Sequence, residues 1–287
     1  MKYRHGFHAG NFADVHKHVT LLSLLRALQR KDKGFLYLDT HAGRGGYDQS
    51  SPSPEAAAGI GRFSAATHGA AELQEFAALL GSWRARPGQR HVYPGSPLLA
   101  ACELRSQDRG VCFETQGAEA RALEVALAAL ADDAAPPARG HVRVERGDGF
   151  ERLRGFLPPP ERRALTFIDP PYEESHDFAL LAAALAEGLK RFPTGVFAAW
   201  YPIKEARSTS AWLTDCARAL PAALLVSELW VYPRDSRVGL NGSGLLIANP
   251  PYLTCERMQV WLPELSSCLA AAPGAGARAE MLANSAA

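Results

Sequence analysis

The sequence predicts an α/β protein: seven short strands in one mostly parallel sheet, covered by helices, with a small helical insertion after the first strand. Three observations carry this. Short apolar runs bounded by Gly, Pro or charge recur along the chain, Ala/Leu-rich helical stretches separate most of them, and several runs end on an acid. The 287 residues, 47% hydrophobic and 21% charged, describe an ordinary globular chain large enough to bury a core without staples.

Over 13–31, Val15, Val19, Leu22 and Leu25 fall at helical spacing, and Gly34 stops the run. Residues 35–39 (FLYLD) read as a buried strand ending at an acid. Residues 110–114, 141–145, 164–168, 195–200, 223–232 and 243–248 read the same way. Helices are predicted over 97–107, 117–131, 176–191 and 204–219, with Ser96 capping and Pro97 at the first helical position. The last two strands are joined by a Gly/Arg/Asn-rich link (233–242), too short for a crossover helix, and so form an antiparallel hairpin at one edge.

The first two strands end some 75 residues apart, at Asp39 and Glu114, where a βαβ unit needs about 30. The surplus opens with SSPSPEAAAG and continues in helical patterns through Trp83, so 48–93 reads as an inserted helical subdomain. The main domain then comprises 1–47, including an N-terminal arm at 1–12, and 94–270. Residues 271–287, low in bulky side chains, read as a flexible tail.

No run approaches the roughly 18 apolar residues of a membrane span, and no apolar stretch follows Lys2 and Arg4 as in a secretory signal. Cys102, Cys112, Cys216, Cys255 and Cys268 are odd in number and lack a CxxC pair, which fits reduced thiols in a cytoplasm. The net charge of +1 excludes a whole-molecule basic field. Residues 1–34, however, hold seven Lys/Arg against two Asp, a local patch that serves equally as a solvated helix face or a nucleic-acid contact.

The sharpest motif is Asp169-Pro170-Pro171-Tyr172, directly after ALTFI. In an open α/β sheet the carboxyl ends of strands form the ligand crevice. An exocyclic amino group of a base is a poor nucleophile because its lone pair is delocalised into the ring. The Asp169 carboxylate and the Pro170 carbonyl, accepting its two hydrogens, would hold the nitrogen toward sp³ geometry, while Tyr172 offers a ring for stacking. The competing reading is a Pro-rich turn capped by Asp.

A second copy, Asn249-Pro250-Pro251-Tyr252, follows GLLIA. Amide-nitrogen methyltransferases use NPPY in the same way, but chain order favours the first copy. Asp39, Glu114, Asp148 and Asp169 end or follow the first four strands in sequence, whereas Asn249 follows the seventh and reads as structural. The turn 39–46 (DTHAGRGG) allows close backbone approach to a ligand. Glu114 suits ribose hydroxyls, and Asp148-Gly149 suits an adenine amino group. Each acid alone is as readily a helix cap, but the four in register describe an adenosyl pocket. No pyrophosphate anchor is evident, which favours S-adenosylmethionine over NAD. His16-x-His18 with His41 fits no standard zinc spacing, and no metal is expected.

These segments, YRHGFHAGNFADVHKH (3–18), LYLDTHAGRGGY, YPGSPLLA (93–100), GDGF, LTFIDPPYE and GLLIANPPY, resemble the RlmJ family of bacterial 23S ribosomal RNA adenine-N6 methyltransferases. The resemblance spans nearly the whole chain, and FHAGN-x-ADV-x-KH is its most specific part. It implies a class I (Rossmann-like) S-adenosylmethionine-dependent fold with a helical insertion after the first strand. It also implies cofactor contacts from His18, His41, Ser96, Glu114, Asp148, Gly149 and Asp169, with Asp169 the catalytic carboxylate and Tyr3 at the RNA. His16 receives no role. The N-terminal arm and Lys17 are the expected phosphate contacts, and Pro170 and Tyr172 the expected contacts to the base. The expected protein is a monomer with 23S RNA as its partner. A DNA adenine methyltransferase, a non-catalytic adenosyl-ligand or RNA-binding protein and, more distantly, a protein or small-molecule methyltransferase stay open.

Overall fold

The structure, a computed structural model, describes residues 8–132, 140–172 and 176–283. Tyr3 and most of the N-terminal arm lie outside these residues. Helix α1 (Phe12–Gln29) starts where the Asn11 side chain accepts the Asp14 amide, and it is buried along most of its length. Strand β1 (Leu36–Asp39) follows, then β2 (Gly46–Asp48), which pairs with β3 (Val92–Pro94) in a two-stranded ribbon. Between β2 and β3 lie α2 (Pro54–Ala56, a π turn over Ala57–Gly61, then Arg62–Ala65) and α3 (Ala71–Arg84). The remaining elements are α4 (Ser96–Glu103), β4 (Arg109–Glu114), α5 (Gly117–Asp132), β5 (His141–Arg146), α6 (Gly149–Arg152), β6 (Ala164–Ile168), α7 (Asp177–Arg191), β7 (Val196–Ile203), α8 (Ala206–Ala219), β8 (Leu224–Trp230), β9 (Gly242–Ala248), α9 (Thr254–Leu269) and β10 (Gly276–Met281).

The main sheet runs β10-β8-β9-β7-β6-β1-β4-β5. Strands β5, β4, β1, β6 and β7 are parallel neighbours. The chain leaves β1 toward β4 on one side and returns through β6 on the other, so the topological switch point, where such sheets bind ligands, lies at the carboxyl ends of β1 and β6. Side chains alternate across the sheet as the pleat requires. Tyr37 and Phe167 join Val15, Val19 and Trp261 on the α1 face, while Leu36, Leu38 and Ile168 join Leu185 and Leu213 on the other. No described helix is long and apolar enough to cross a membrane.

Two expectations require correction, and one element was not anticipated. The β8–β9 pair is antiparallel but is not an edge hairpin: β9 inserts between β8 and β7, antiparallel to both. Residues 276–281 are not a flexible tail but strand β10, paired antiparallel with β8. The ladder needs backbone rather than bulk, and Arg278 adds an ion pair to the buried Glu228 at 2.7 Å. Finally, 254–269 form a helix that the sequence pattern did not predict. Pro263 interrupts its propensity, yet Met258, Trp261, Leu262, Leu265 and Leu269 are buried at helical spacing.

The helices of the insertion do not build a core of their own. Phe63, Phe76 and Trp83 share one buried cluster with Val15 of α1 and Trp261 of α9. The Ile60 amide donates to the Gly10 carbonyl at 2.8 Å, tying α2 to the start of α1.

Candidate active site

The turn leaving β1 organises the crevice. Gly43 (φ 62°) and Gly45 (φ 82°) take the left-handed conformation, which a residue with a Cβ adopts only at a cost. Asp39, fully buried, accepts the Tyr37 hydroxyl at 2.8 Å, the Ser96 hydroxyl at 2.7 Å and the His41 amide at 3.2 Å. Burial pushes its carboxyl up to about 6, the Ser96 and Tyr37 hydrogen bonds oppose this, and neighbouring Asp169 adds to it. Ser96 therefore spends its hydroxyl on Asp39 and does not cap α4. The cap position is Gly95, and Ser96 is the first helical residue.

Glu114, at the end of β4, accepts the Gly43 amide at 3.0 Å and the Gln116 amide at 2.7 Å, locking the turn to the neighbouring strand. Asp148 Oδ1 accepts the Phe150 amide at 2.8 Å and so caps α6, the bland reading of this acid. Gly149 packs so closely on the turn that any Cβ would collide with the Thr40 carbonyl. His41 rests its ring edge-on against Phe150, 4.8 Å between centroids. Burial lowers its pKa, and the charges of Asp169, Asp148 and Glu114 oppose that.

Asp169 follows β6, and its Oδ2 meets the Lys17 ammonium at 2.6 Å. Lys17 also reaches Asp14 Oδ1 at 2.8 Å and lies 4.7 Å from the centre of the Trp200 ring. With its side chain 5% exposed, Lys17 is not the surface phosphate contact anticipated for it. α1 turns it inward, and it fixes the Asp169 carboxylate instead. Oδ1 of Asp169 keeps no hydrogen-bond partner among the described residues. Pro170 is buried. Tyr172 is half-buried: its hydroxyl donates to the Trp200 carbonyl at 2.7 Å, and its ring meets Trp200 and Phe178 at 5.4 and 5.1 Å.

Trp200 and Asp14 are the residues that sequence reasoning missed. The indole N–H donates to Ser243 Oγ at 2.9 Å, and Ser243 contacts His16 Nδ1 at 2.9 Å. His16 Nε2 meets Ser227 Oγ at 2.9 Å, completing a buried polar rail from β8 to β7. Asp14 had a signal, an acid three residues before Lys17 on one helix face. Trp200 had none beyond ending the predicted strand 195–200. His18 is buried against Tyr93, Nδ1 to hydroxyl 2.7 Å. His16 and His18 therefore point to different neighbours and share no centre. Asn249 sits at the far end of antiparallel β9, where its amide caps the Pro193 and Gly195 carbonyls at 2.7 and 2.8 Å, outside the crevice.

The crevice thus gathers Asp39, Glu114, Asp148 and Asp169 around a glycine turn, with Lys17 as the cation paired to one of them. This set of acceptors suits a ligand carrying positive charge, hydroxyls and an amino group.

The family model described as "Ribosomal RNA large subunit methyltransferase D, RlmJ" matches residues 32–281. "Ribosomal RNA large subunit methyltransferase J" of Escherichia coli (strain K12) is 39% identical over 273 residues, 94% of each chain. The protein of the same name from Haemophilus influenzae is 36% identical over the same share. The crystal structure of protein LPL1258 from Legionella pneumophila superposes with a TM-score of 0.82 at 32% identity, covering 97% of this chain and 99% of that one. The sheet, with its switch point at β1 and β6 and its reversed strand β9, is the Rossmann-like sheet of class I methyltransferases. On fold, crevice and match along nearly its whole length, the chain belongs to the RlmJ family of ribosomal RNA large-subunit methyltransferases.

Proposed function

We propose that this chain transfers a methyl group from S-adenosylmethionine to the exocyclic N6 of one adenosine in 23S ribosomal RNA. The observation that carries the reading is Asp169: a carboxylate at the switch point, held on one oxygen by Lys17, with its other oxygen open to a substrate amino group.

Bound in the crevice, the cofactor supplies an electrophilic methyl on a sulfonium. Its positive charge fits a cluster of carboxylates, Glu114 would accept from the ribose hydroxyls, and Asp148 Oδ2 and the Gly149 backbone would hold the adenine edge. Asp39 and Ser96 support the turn beneath. His18 and His41 complete the wall.

The target adenosine leaves its stack, at a cost of a few kcal/mol that is smallest in a loop or bulge. Asp169 Oδ1 and the Pro170 carbonyl accept the two amino hydrogens and turn the nitrogen lone pair toward the methyl. Tyr172, braced by Trp200 and Phe178, receives the base on its ring. As the N–C bond formed, the sulfonium–methyl bond would break and leave S-adenosylhomocysteine, and the alkylated nitrogen would give up its proton to Asp169. Catalysis comes from orientation and preorganised acceptors, without a covalent intermediate.

Labelled cofactor, with unmodified 23S fragments and DNA of identical sequence, tests the reading. Label on RNA as N6-methyladenosine, and none on DNA, is the expected result. Label on DNA would keep the crevice and overturn the substrate; bound cofactor with no transfer would make the protein a sensor.

A further inference from the structure

The insertion carries a cleft that methyl transfer leaves unused. Gln49, Arg84, Arg90, His91, Val92 and Tyr93 are among the residues lining a space of about 560 Å³, within the range of ligand sites. Residues 84–91 read RARPGQRH, three arginines and a histidine without an acid. Arg84 donates to Ser64 Oγ at 3.2 Å. Neither Arg84 nor Arg90 has a carboxylate in ion-pair reach among the described residues. Several other arginines are paired with carboxylates: Arg26 with Glu75 and Glu103, Arg105 with Asp108, Arg109 with Glu161, Arg278 with Glu228. Asp48, opposite Val92 in the ribbon, turns its oxygens to the Ser50 amide and hydroxyl at 2.8 and 3.0 Å. In a molecule of net charge +1, two guanidinium groups without a counter-charge in a concave wall focus a local field for anions.

The ribbon places this cleft relative to the crevice. Its inner end is joined to the glycine turn, with the Gly95 amide donating to the Gly45 carbonyl at 2.6 Å and Ser96 on Asp39. Its outer end is closed by the Gln49 amide on the His91 carbonyl at 2.7 Å. The β2–β3 ladder between them is three residue pairs long, a separation on the order of 10 Å. Tyr93 belongs to both sides, lining the cleft and bonding His18. An RNA with one base in the crevice carries its backbone away on either side, and phosphate contacts set register without reading sequence.

We propose that this cleft binds a backbone phosphate of the substrate RNA flanking the target nucleoside, with Arg84 and Arg90 as its ligands. The inference rests on RNA being the substrate, as proposed for the crevice. It divides the labour within the chain, the insertion holding the substrate while the crevice does the chemistry.

The test uses the full chain, a 23S fragment that accepts methyl, and the variants Arg90→Ala and Arg84→Ala/Arg90→Ala, with RNA affinity measured across salt concentrations. The double variant is expected to lose about tenfold in affinity. The slope of log K against log salt should shrink by about 0.7–0.9 for each phosphate the variant no longer neutralises. KM for RNA should rise with kcat at saturating RNA and cofactor affinity unchanged. Arg90→Ala, an exposed substitution that breaks no ion pair, should show a smaller effect of the same kind. Unchanged RNA affinity and slope in both variants, or a loss confined to kcat or cofactor binding, overturns the cleft while wild-type methylation of RNA leaves the function standing. If the wild type transfers no methyl to RNA, both readings fall together.

Discussion

Asp39 and His16 are buried ionisable groups, and each makes the protein sensitive to pH in an opposite sense. Burial raises Asp39 to about 6, so between roughly pH 4 and 6 the native state holds a proton that the unfolded chain has lost. Its contribution to stability is therefore lost as pH rises through that window, on the order of 3 kcal/mol by neutrality. His16 is lowered to about 3, first by burial and then by the Lys17 charge, against the Ser243 hydrogen bond. Below its ordinary value near 6.5 the unfolded chain takes up a proton that the native state refuses, so stability falls with acidification. His16→Gln keeps a donor and an acceptor for Ser243 and Ser227 and has no proton to gain. Its Tm should fall less steeply than that of the wild type between about pH 6.5 and 4; parallel curves in a thermal melt would contradict the buried neutral histidine. In the crevice, an ionised Asp39 favours a cationic ligand. Calorimetric affinity for S-adenosylmethionine should weaken by up to about tenfold per pH unit below 6, and an affinity flat across that range would remove Asp39 from the site. At this scale the motif was legible in the sequence and its partners were not. DPPY announces its chemistry by residue type, but that Lys17 turns inward to Asp169 depends on where α1 lands on the sheet.

Elements were legible in proportion to how far local pattern decides them. Strands β1, β4 and β6 are short apolar runs between breakers, and their bounds fall within a residue of expectation. Helix α9 was hidden by Pro263, because a propensity reading weighs the missing amide, whereas burial of Trp261 and Leu265 against α1 and the insertion decides the outcome. Strand β10 was hidden because GARAEM has little to bury and is held by a ladder to β8 and by one charge. Glu228, with no exposure, accepts the Tyr201 hydroxyl at 3.0 Å, Arg234 at 3.1 Å and Arg278 at 2.7 Å. Removing Arg278 leaves a buried carboxylate with one cation. Arg278→Ala should cost about 2 kcal/mol, less than the full loss of a buried pair because Arg234 remains. A denaturant titration reads this, and an unchanged midpoint would show that β10 does not depend on the pair.

For the whole molecule, the alternation of strands and helices predicted the layers, and the long interval after β1 predicted the insertion's place. The sequence could not show that the insertion shares its core with α1 and α9, because that requires knowing which faces meet. Nor did composition reveal the charge layout: a net charge of +1 conceals carboxylates at the inner end of the ribbon and an arginine-bearing cleft toward its outer end. The proposed transfer depends on Asp169 and not on the similar tetrapeptide at Asn249. The single-turnover rate of methyl transfer to a 23S fragment, at saturating cofactor, tests it in two variants. Asp169→Ala should fall by about 10²–10⁴ with cofactor still bound, the range for a positioned polar catalytic group, and Asn249→Ala should lose stability but keep its rate. Near-normal turnover in Asp169→Ala, or a collapse confined to Asn249→Ala, would take the chemistry away from Asp169.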